Sequence, residues 1–314
     1  MKNVTLRQLR IFEAIARHLS FSRAAEELHL TQPAVSMQIK SLEDLVGLPL
    51  TEQISKKIRL TSAGEEVAQL ARRIAQQVRE TEEVLTAMKG ADGGHLLVGV
   101  VSTAKYFAPF LLAEFKRRHP AVEVRLKVSN RSAIVKQLLE NDIDLAIMGA
   151  PPREMETVAE AFAAHPLSFI AAPEHPLCAQ LQIEPARLVQ EVLLIREIGS
   201  GTRSALEKYL EAQKVGAGET VEMSSNETIK QAVMAGIGVA LISEHTIGLE
   251  RSVGRIAILD VVGMPMMRKW HIVHRSEKRL LPAADAFREF IGAEGAALIA
   301  AQVGLSGAPP GIPT

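Results

Sequence analysis

Among 314 residues the sequence holds one cysteine, one tryptophan and two tyrosines. The single thiol, Cys178, can close no internal disulfide, and a metal site built on it would need ligands from elsewhere. It reads either as a small buried hydrophobe or as a redox thiol. An excess of one charge is missing too: 36 basic residues balance 36 acidic ones, so net charge names no partner. No apolar run approaches the roughly 20 residues that a membrane span requires. The N-terminus, "MKNVTLRQLRIFEAIARHLS", carries Arg7, Arg10, Glu13 and Arg17 where a signal peptide would be apolar. We therefore expect a cytoplasmic protein with no membrane association. Catalytic patterns are equally scarce. There is no HExxH, GxSxG, CxxC or Walker sequence, and no acid pair in an acid–base context. His119 and His165 each precede a proline and are assigned to loops with structural roles. "GIGVA" (236–240) lacks the full dinucleotide fingerprint and precedes a strand, so it reads as a turn. These absences argue against an enzyme.

What is present divides the chain into parts. At 47% hydrophobic residues it can build two or three domains. Residues 1–61 are short helical patterns, 62–92 one long polar helix, and 93–303 alternating strand and helix. The glycine-rich "GADGGH" (90–95) joins the last two. The tail, 304–314, is too poor in apolar residues to fold and is expected to be disordered.

In the first part Leu6, Leu9, Phe12, Ile15, Ala16 and Leu19 recur at helical spacing. Ser20 or Ser22 can cap a second helix, with Ala24, Ala25 and Leu28 inward. Thr31 can cap a third, and Pro33 suits its first turn, where a missing N–H costs nothing. In that helix Val35, Ile39, Leu42 and Val46 form one buried stripe. Gln32, Ser36, Lys40 and Glu43 share another face. The pattern predicts a helix-turn-helix. Two short β-like pieces then flank Ser55-Lys56-Lys57, which is either a phosphate-touching wing or a solvated charged turn. Residues 1–60 carry nine Lys/Arg against six Asp/Glu, a weak pointer to nucleic acid.

The long helix carries Val67, Leu70, Ile74, Val78, Thr81, Leu85 and Met88 in steps of 3, 4, 4, 3, 4 and 3. That is a heptad seam, to be covered either by a second copy of the chain or by the helix's own domain. From residue 95 strands at 95–101, 122–128 and 144–149 alternate with helices at 105–118 and 131–141, which predicts a parallel sheet. A second α/β unit starts near His165. A strand at 268–275 and a helix at 282–301 close the chain. Two such lobes (93–163 with 267–303, and 164–266) imply a hinged pair with a cleft between them.

In open α/β sheets ligands bind beyond the carboxyl ends of strands, at helix N-termini. Four such places here are Ser102-Thr103, Asn130-Arg131, "GSGTR" (199–203) and Ser225-Asn226. Each is either an ordinary helix cap or part of an anion site; together they point to a small anionic ligand. Gly149, Arg196, Gly201, Thr202 and Arg203 complete the candidate set, and the arginines could supply charge.

The order of parts resembles one family. "LRQLRIFEAIARHLSFSRAAEELHLTQPAVSMQIKSLEDLVGLPL" and "RLTSAGEEV" are similar to the winged helix-turn-helix and linker-helix start of LysR-type transcriptional regulators, over residues 4–303. The resemblance implies an all-α winged helix-turn-helix domain plus linker helix, then an α/β two-lobed effector domain like periplasmic binding proteins. It also implies a homodimer or homotetramer on double-stranded promoter DNA, working with RNA polymerase. It puts Ser22, Arg23, Thr31, Gln32, Pro33, Ser36, Met37 and Lys40 at the DNA, with Lys56 and Lys57 on its phosphates. "TAKYFAPFLLAEFKRRHP" and "REIGSGTR" extend the resemblance to regulators of Calvin-cycle (RuBisCO) operons. Activation of carbon dioxide fixation genes follows as an expectation. So does an anionic effector: a phosphorylated sugar, phosphoenolpyruvate, or a nucleotide such as NADPH or ATP. The alternative within the family is a regulator of sulfur, nitrogen or aromatic metabolism. Outside it, a solute-binding protein would carry a signal peptide, and an enzyme a catalytic constellation. One departure is Thr51, where the family commonly has phenylalanine; its loss would weaken packing of the wing.

Overall fold

The computed structural model describes residues 3–54, 57–88 and 93–303. The tail, half of the glycine-rich joint (90–92), and Lys56 lie outside them. The chain forms two compact units, divided after Met88.

The first unit begins with α1 (Leu6–His18), α2 (Phe21–Glu27) and α3 (Gln32–Val46). A hairpin of β1 (Thr51–Ile54) and β2 (Lys57–Leu60) leads to α4 (Ser62–Met88). Capping sets the boundaries. Thr5 accepts from the Gln8 N–H while the Gln8 side chain accepts from the Thr5 N–H, a reciprocal box that starts α1. Ser20, not Ser22, caps α2 by accepting from the Arg23 N–H. Leu19 (φ 48°) and His29 (φ 52°) make the left-handed exits of α1 and α2. The core joins Leu9, Phe12, Ile15, Ala24, Ala25, Val35, Ile39 and Leu42 to Val67, Ala68 and Ala71 of α4. Two residues of the expected α1 stripe fall outside it: Leu6 is 61% exposed and Leu19, as the cap, 47%. Along α4 the seam changes character. Val67 is buried, Leu70 and Ile74 are half-buried, and Val78 and Leu85 are exposed. The unit's own core covers the first turns only.

The second unit runs β3 (Gly94–Val101), α5 (Ala108–Arg118), β4 (Val122–Ser129), α6 (Arg131–Leu139), β5 (Leu145–Met148) and β6 (Thr157–Ala171). It continues with α7 (Pro185–Leu188), β7 (Leu193–Arg196), α8 (Gly201–Ala212), β8 (Thr220–Met223), α9 (Asn226–Met234) and β9 (Ala240–Ser243). Then come α10 (Gly248–Ser252), β10 (Ala257–Ile258), β11 (Met266–Arg275) and α11 (Pro282–Val303). As expected, β3 pairs in parallel with β4 and β5. The sheet order is β10-β6-β11-β5-β3-β4, with β9 also on β6. One lobe packs Phe107, Phe115, Phe287 and Trp270 around β3 and β5. The other has apolar clusters on the α8 side and on the α9 side of its strands.

The crossing between lobes differs from expectation. β6 starts at Thr157, not near His165, is 15 residues long, and pairs with β11 from Thr157 to Leu167. His165 therefore sits inside a strand, 3% exposed, and not in a loop. Its segment "TVAEAFAA" is alanine-rich and weakly strand-forming by itself; pairing with β11 supplies what propensity does not. Cys178 is half-buried and packs beside the α8-side cluster.

Candidate functional sites

The first candidate surface lies on α3. Thr31 accepts from the Ala34 N–H at 3.4 Å to open the helix, and Pro33 occupies its first turn. Val35 and Leu42 are fully buried and Ile39 nearly so. That geometry turns Gln32, Pro33, Met37 and Lys40 to solvent, with Ser36 half-buried. Met37, at 71% exposure, is a large apolar side chain held out with no core to serve. Ser22 and Arg23 are exposed on the first turn of α2.

Glu43 leaves this face, contrary to its spacing. Its carboxylate accepts from the Leu50 N–H at 2.8 Å and the Thr51 N–H at 3.2 Å, tying the root of the hairpin to α3. Gly64 fits beneath the same root: a Cβ there would lie 2.0 Å from the Leu50 carbonyl oxygen. The hairpin itself is antiparallel, Thr51 opposite Leu60 and Ile54 opposite Lys57, and Lys57 is exposed. Thr51 lines a recess with Phe21, Ser22, Gln32 and Ile58. A phenylalanine would reach Phe21 and Ile58 there. We expect Thr51→Phe to stabilise this unit by about 1 kcal/mol. Calorimetry of the full chain should then show its transition shifted up by roughly 4–8 °C. An unchanged transition would contradict the packing argument.

The second candidate site is the cleft between the lobes of the second unit. Three of the four polar helix starts meet there: Ser102-Thr103 after β3, Asn130-Arg131 at α6, and Gly201-Thr202 at α8, with Gly149 after β5. Asn130 caps α6 by accepting from the Ala133 N–H at 3.0 Å, and Ser200 caps α8 by accepting from the Thr202 N–H at 3.3 Å. The lobes touch across the cleft mouth, where the Ser132 N–H donates to the Gly199 carbonyl at 3.2 Å. The enclosed space is about 20 Å³, room for one water-sized group.

The fourth start does not line the cleft. Asn226 is 1% exposed and accepts from Arg196. Arg196, 2% exposed, also donates to Ser102 Oγ at 3.1 Å and pairs with Glu197, so it braces the cleft wall from behind. Arg203 points away, paired with Glu207 and Glu222. Of the three arginines considered from sequence, only Arg131 lines the cleft, and its charge is matched by Glu154 at 2.9 Å. That guanidinium holds the Glu154 carboxyl down to about 2.

Sequence reasoning missed Arg268 and His165. Arg268 enters from β11 and donates to the carbonyls of Gly149 and Gly201, both at 3.3 Å. Among the described residues no carboxylate pairs with it, and burial, then the Arg131 charge, lowers its pKa. His165 faces it across the strand pair in direct register. The period-two alternation of β11 carries the one available signal, because Arg268 shares a face with Trp270. Among the described residues no cluster of His, Cys, Asp or Glu could hold a metal, and no helix is long and apolar enough to cross a membrane.

Both sites match described families. Residues 6–65 match "Bacterial regulatory helix-turn-helix protein, lysR family" and residues 89–296 match "LysR substrate binding domain". The chain is 50% identical over 294 residues to the RuBisCO operon transcriptional regulator of Allochromatium vinosum, covering 94% of this chain and 97% of that one. A cysteine variant of full-length OxyR from Pseudomonas aeruginosa superposes with a TM-score of 0.71 at 26% identity, covering 92% of this chain and 97% of that one. The Synechocystis CcmR regulatory domain in complex with 2-PG gives 0.62 at 36% identity, over 64% of this chain and 96% of the domain. The two family models together span most of the chain, and the chain belongs to the LysR family of bacterial transcriptional regulators.

Proposed function

We propose that this regulator reads promoter DNA of Calvin-cycle genes with α3 and activates them in response to a small phosphorylated acid bound in the cleft. Two features of one chain carry the reading: a recognition-helix face kept out of the core, and a cleft arginine, Arg268, with no carboxylate partner among the described residues. Gln32 can pair an adenine edge, Met37 and Pro33 can touch a thymine methyl, and Ser36 can reach a base or phosphate. Ser22, Arg23, Lys40 and Lys57 hold the backbone. In the cleft the Ser102, Thr103 and Thr202 hydroxyls and Arg268, beside the N-termini of α6 and α8, form a donor-rich lining.

The relatives' names support the target genes, and the 2-PG bound to CcmR supports a compact anion over a nucleotide. The narrow cleft agrees: a nucleotide would have to part the lobes further than a compact anion. The exposed Val78 and Leu85 of α4 suit a dimer seam, and a dimer or tetramer working with RNA polymerase in the cytoplasm is the setting we assign.

The DNA half of the reading is tested with Gln32→Ala. We expect a loss of about 1–3 kcal/mol on the cognate operator and no change on random DNA of equal length. Fluorescence anisotropy at fixed salt measures both. Equal losses on the two would remove Gln32 from base reading.

A further inference from the structure

We propose that His165 is a direct contact of the bound effector, donating a ring N–H to its oxyanion group; the inference rests on the cleft being the effector site. The imidazole is 3% exposed, and neither ring nitrogen has a hydrogen-bond partner within the described residues. Buried polar atoms are nearly always paired, so two unpaired ones on a single ring call for a reason. A purely packing role at this position would be served better by a phenylalanine or leucine.

The ring cannot turn away from the cleft. It lies flat on Trp270, with centroids 3.8 Å apart and planes 16° from parallel. Trp270 is itself fully buried, edge-on to Phe107 at 5.0 Å, and donates its indole N–H to His245 Nδ1 at 2.9 Å. The imidazole is therefore a preset group on a rigid backing.

Gly149 keeps its edge open. A Cβ built on that glycine would lie 2.8 Å from His165 Nδ1 and 3.0 Å from Cε1. The Gly149 backbone is not left-handed, so its conformation does not demand glycine; the bare space in front of the imidazole does. Charge around the ring favours an anion. Arg268 stands opposite it on β11, while burial disfavours the charged form of the two nearby imidazoles, His271 and His245. Burial holds the ring neutral, which leaves it one N–H to give and one lone pair to accept. Arg268 would supply the ligand's countercharge and His165 a directional bond, so the pair would separate oxyanions from neutral molecules of the same size.

The test uses the full-length protein, with 2-PG and inorganic phosphate as probes. Binding is measured by calorimetry and by the emission of Trp270, the only tryptophan in the chain. His165→Phe keeps the stack and removes the donor; we expect it to weaken 2-PG binding at least tenfold with the melting temperature unchanged or raised. His165→Gln should recover part of the loss, and Gly149→Ala, which crowds the ring edge, should weaken binding although the imidazole is still present. These two variants decide the matter if the phenylalanine variant does not fold. A His165→Phe protein that binds as the wild type does, while Arg268→Gln loses binding, overturns the role of His165 and leaves the cleft as the effector site. Unchanged binding in Arg268→Gln, or a wild type that binds neither probe, overturns the effector reading and this inference with it.

Discussion

Arg268→Gln is expected to weaken binding of 2-PG by about 2–5 kcal/mol, roughly 30- to 5,000-fold, and to raise the thermal stability of the unliganded protein. The two effects have opposite signs for one reason. Among the described residues Arg268 has two carbonyl acceptors at 3.3 Å and no carboxylate, and burial already pulls its pKa down. A desolvated charge without a countercharge costs stability. The same charge becomes the strongest attraction available once an anion enters. Glutamine keeps a donor for the carbonyls and drops the charge. Titration calorimetry with 2-PG and scanning calorimetry of the free protein give the two numbers. Lower stability in the variant would mean that Arg268 serves the fold, and the effector reading of the cleft would lose its main support.

Arg196→Met has the opposite profile. Arg196 is 2% exposed and bonded to Asn226, Ser102 and Glu197, which spans both lobes. Removing it leaves the Glu197 carboxylate and the Asn226 amide oxygen without their partner. Breaking a buried pair on one side costs about 3–5 kcal/mol. For a unit of this size that lowers the melting temperature by roughly 2–4 °C per kcal/mol. Urea unfolding of the full chain, followed through Trp270, measures the loss directly. A cost below about 1 kcal/mol would show that the network is dispensable.

The contrast between these two arginines marks where the sequence was legible. Strands β3 and β5 announced themselves because a parallel sheet is covered on both faces and reads as apolar runs, and β4, at the sheet edge, by its alternation of apolar and charged residues. The α3 face was legible because one buried stripe at helical spacing frees the other side. Glu43 broke the pattern because its partners, the Leu50 and Thr51 N–H groups, come from the hairpin and not from the helix. Arg196 and Arg203 stand seven positions apart, at the end of β7 and the start of α8, and face in different directions. No local pattern separates a brace from a surface ion pair. Arg268 reaches the cleft only through the register of β11 with β6, a pairing across about a hundred residues. His165 looked like a loop residue because Pro166 follows it. The strand tolerates that proline because β11 sets its path.

The same strand pair constrains how the molecule can move. β6 and β11 carry the chain out to the far lobe and back, and they are hydrogen-bonded to each other through the crossing, Leu167 opposite Met266. Two separate cords would let the lobes slide and rock independently. Two cords laced side by side act as one ribbon, whose easy motion is a twist about its own length. The register shift between Trp270 and His271 is a ready swivel in that ribbon. His165 and Arg268 are paired across the ribbon two residues to one side of it, so a ligand gripping both would be turning the key beside the pivot and not pushing on the doors.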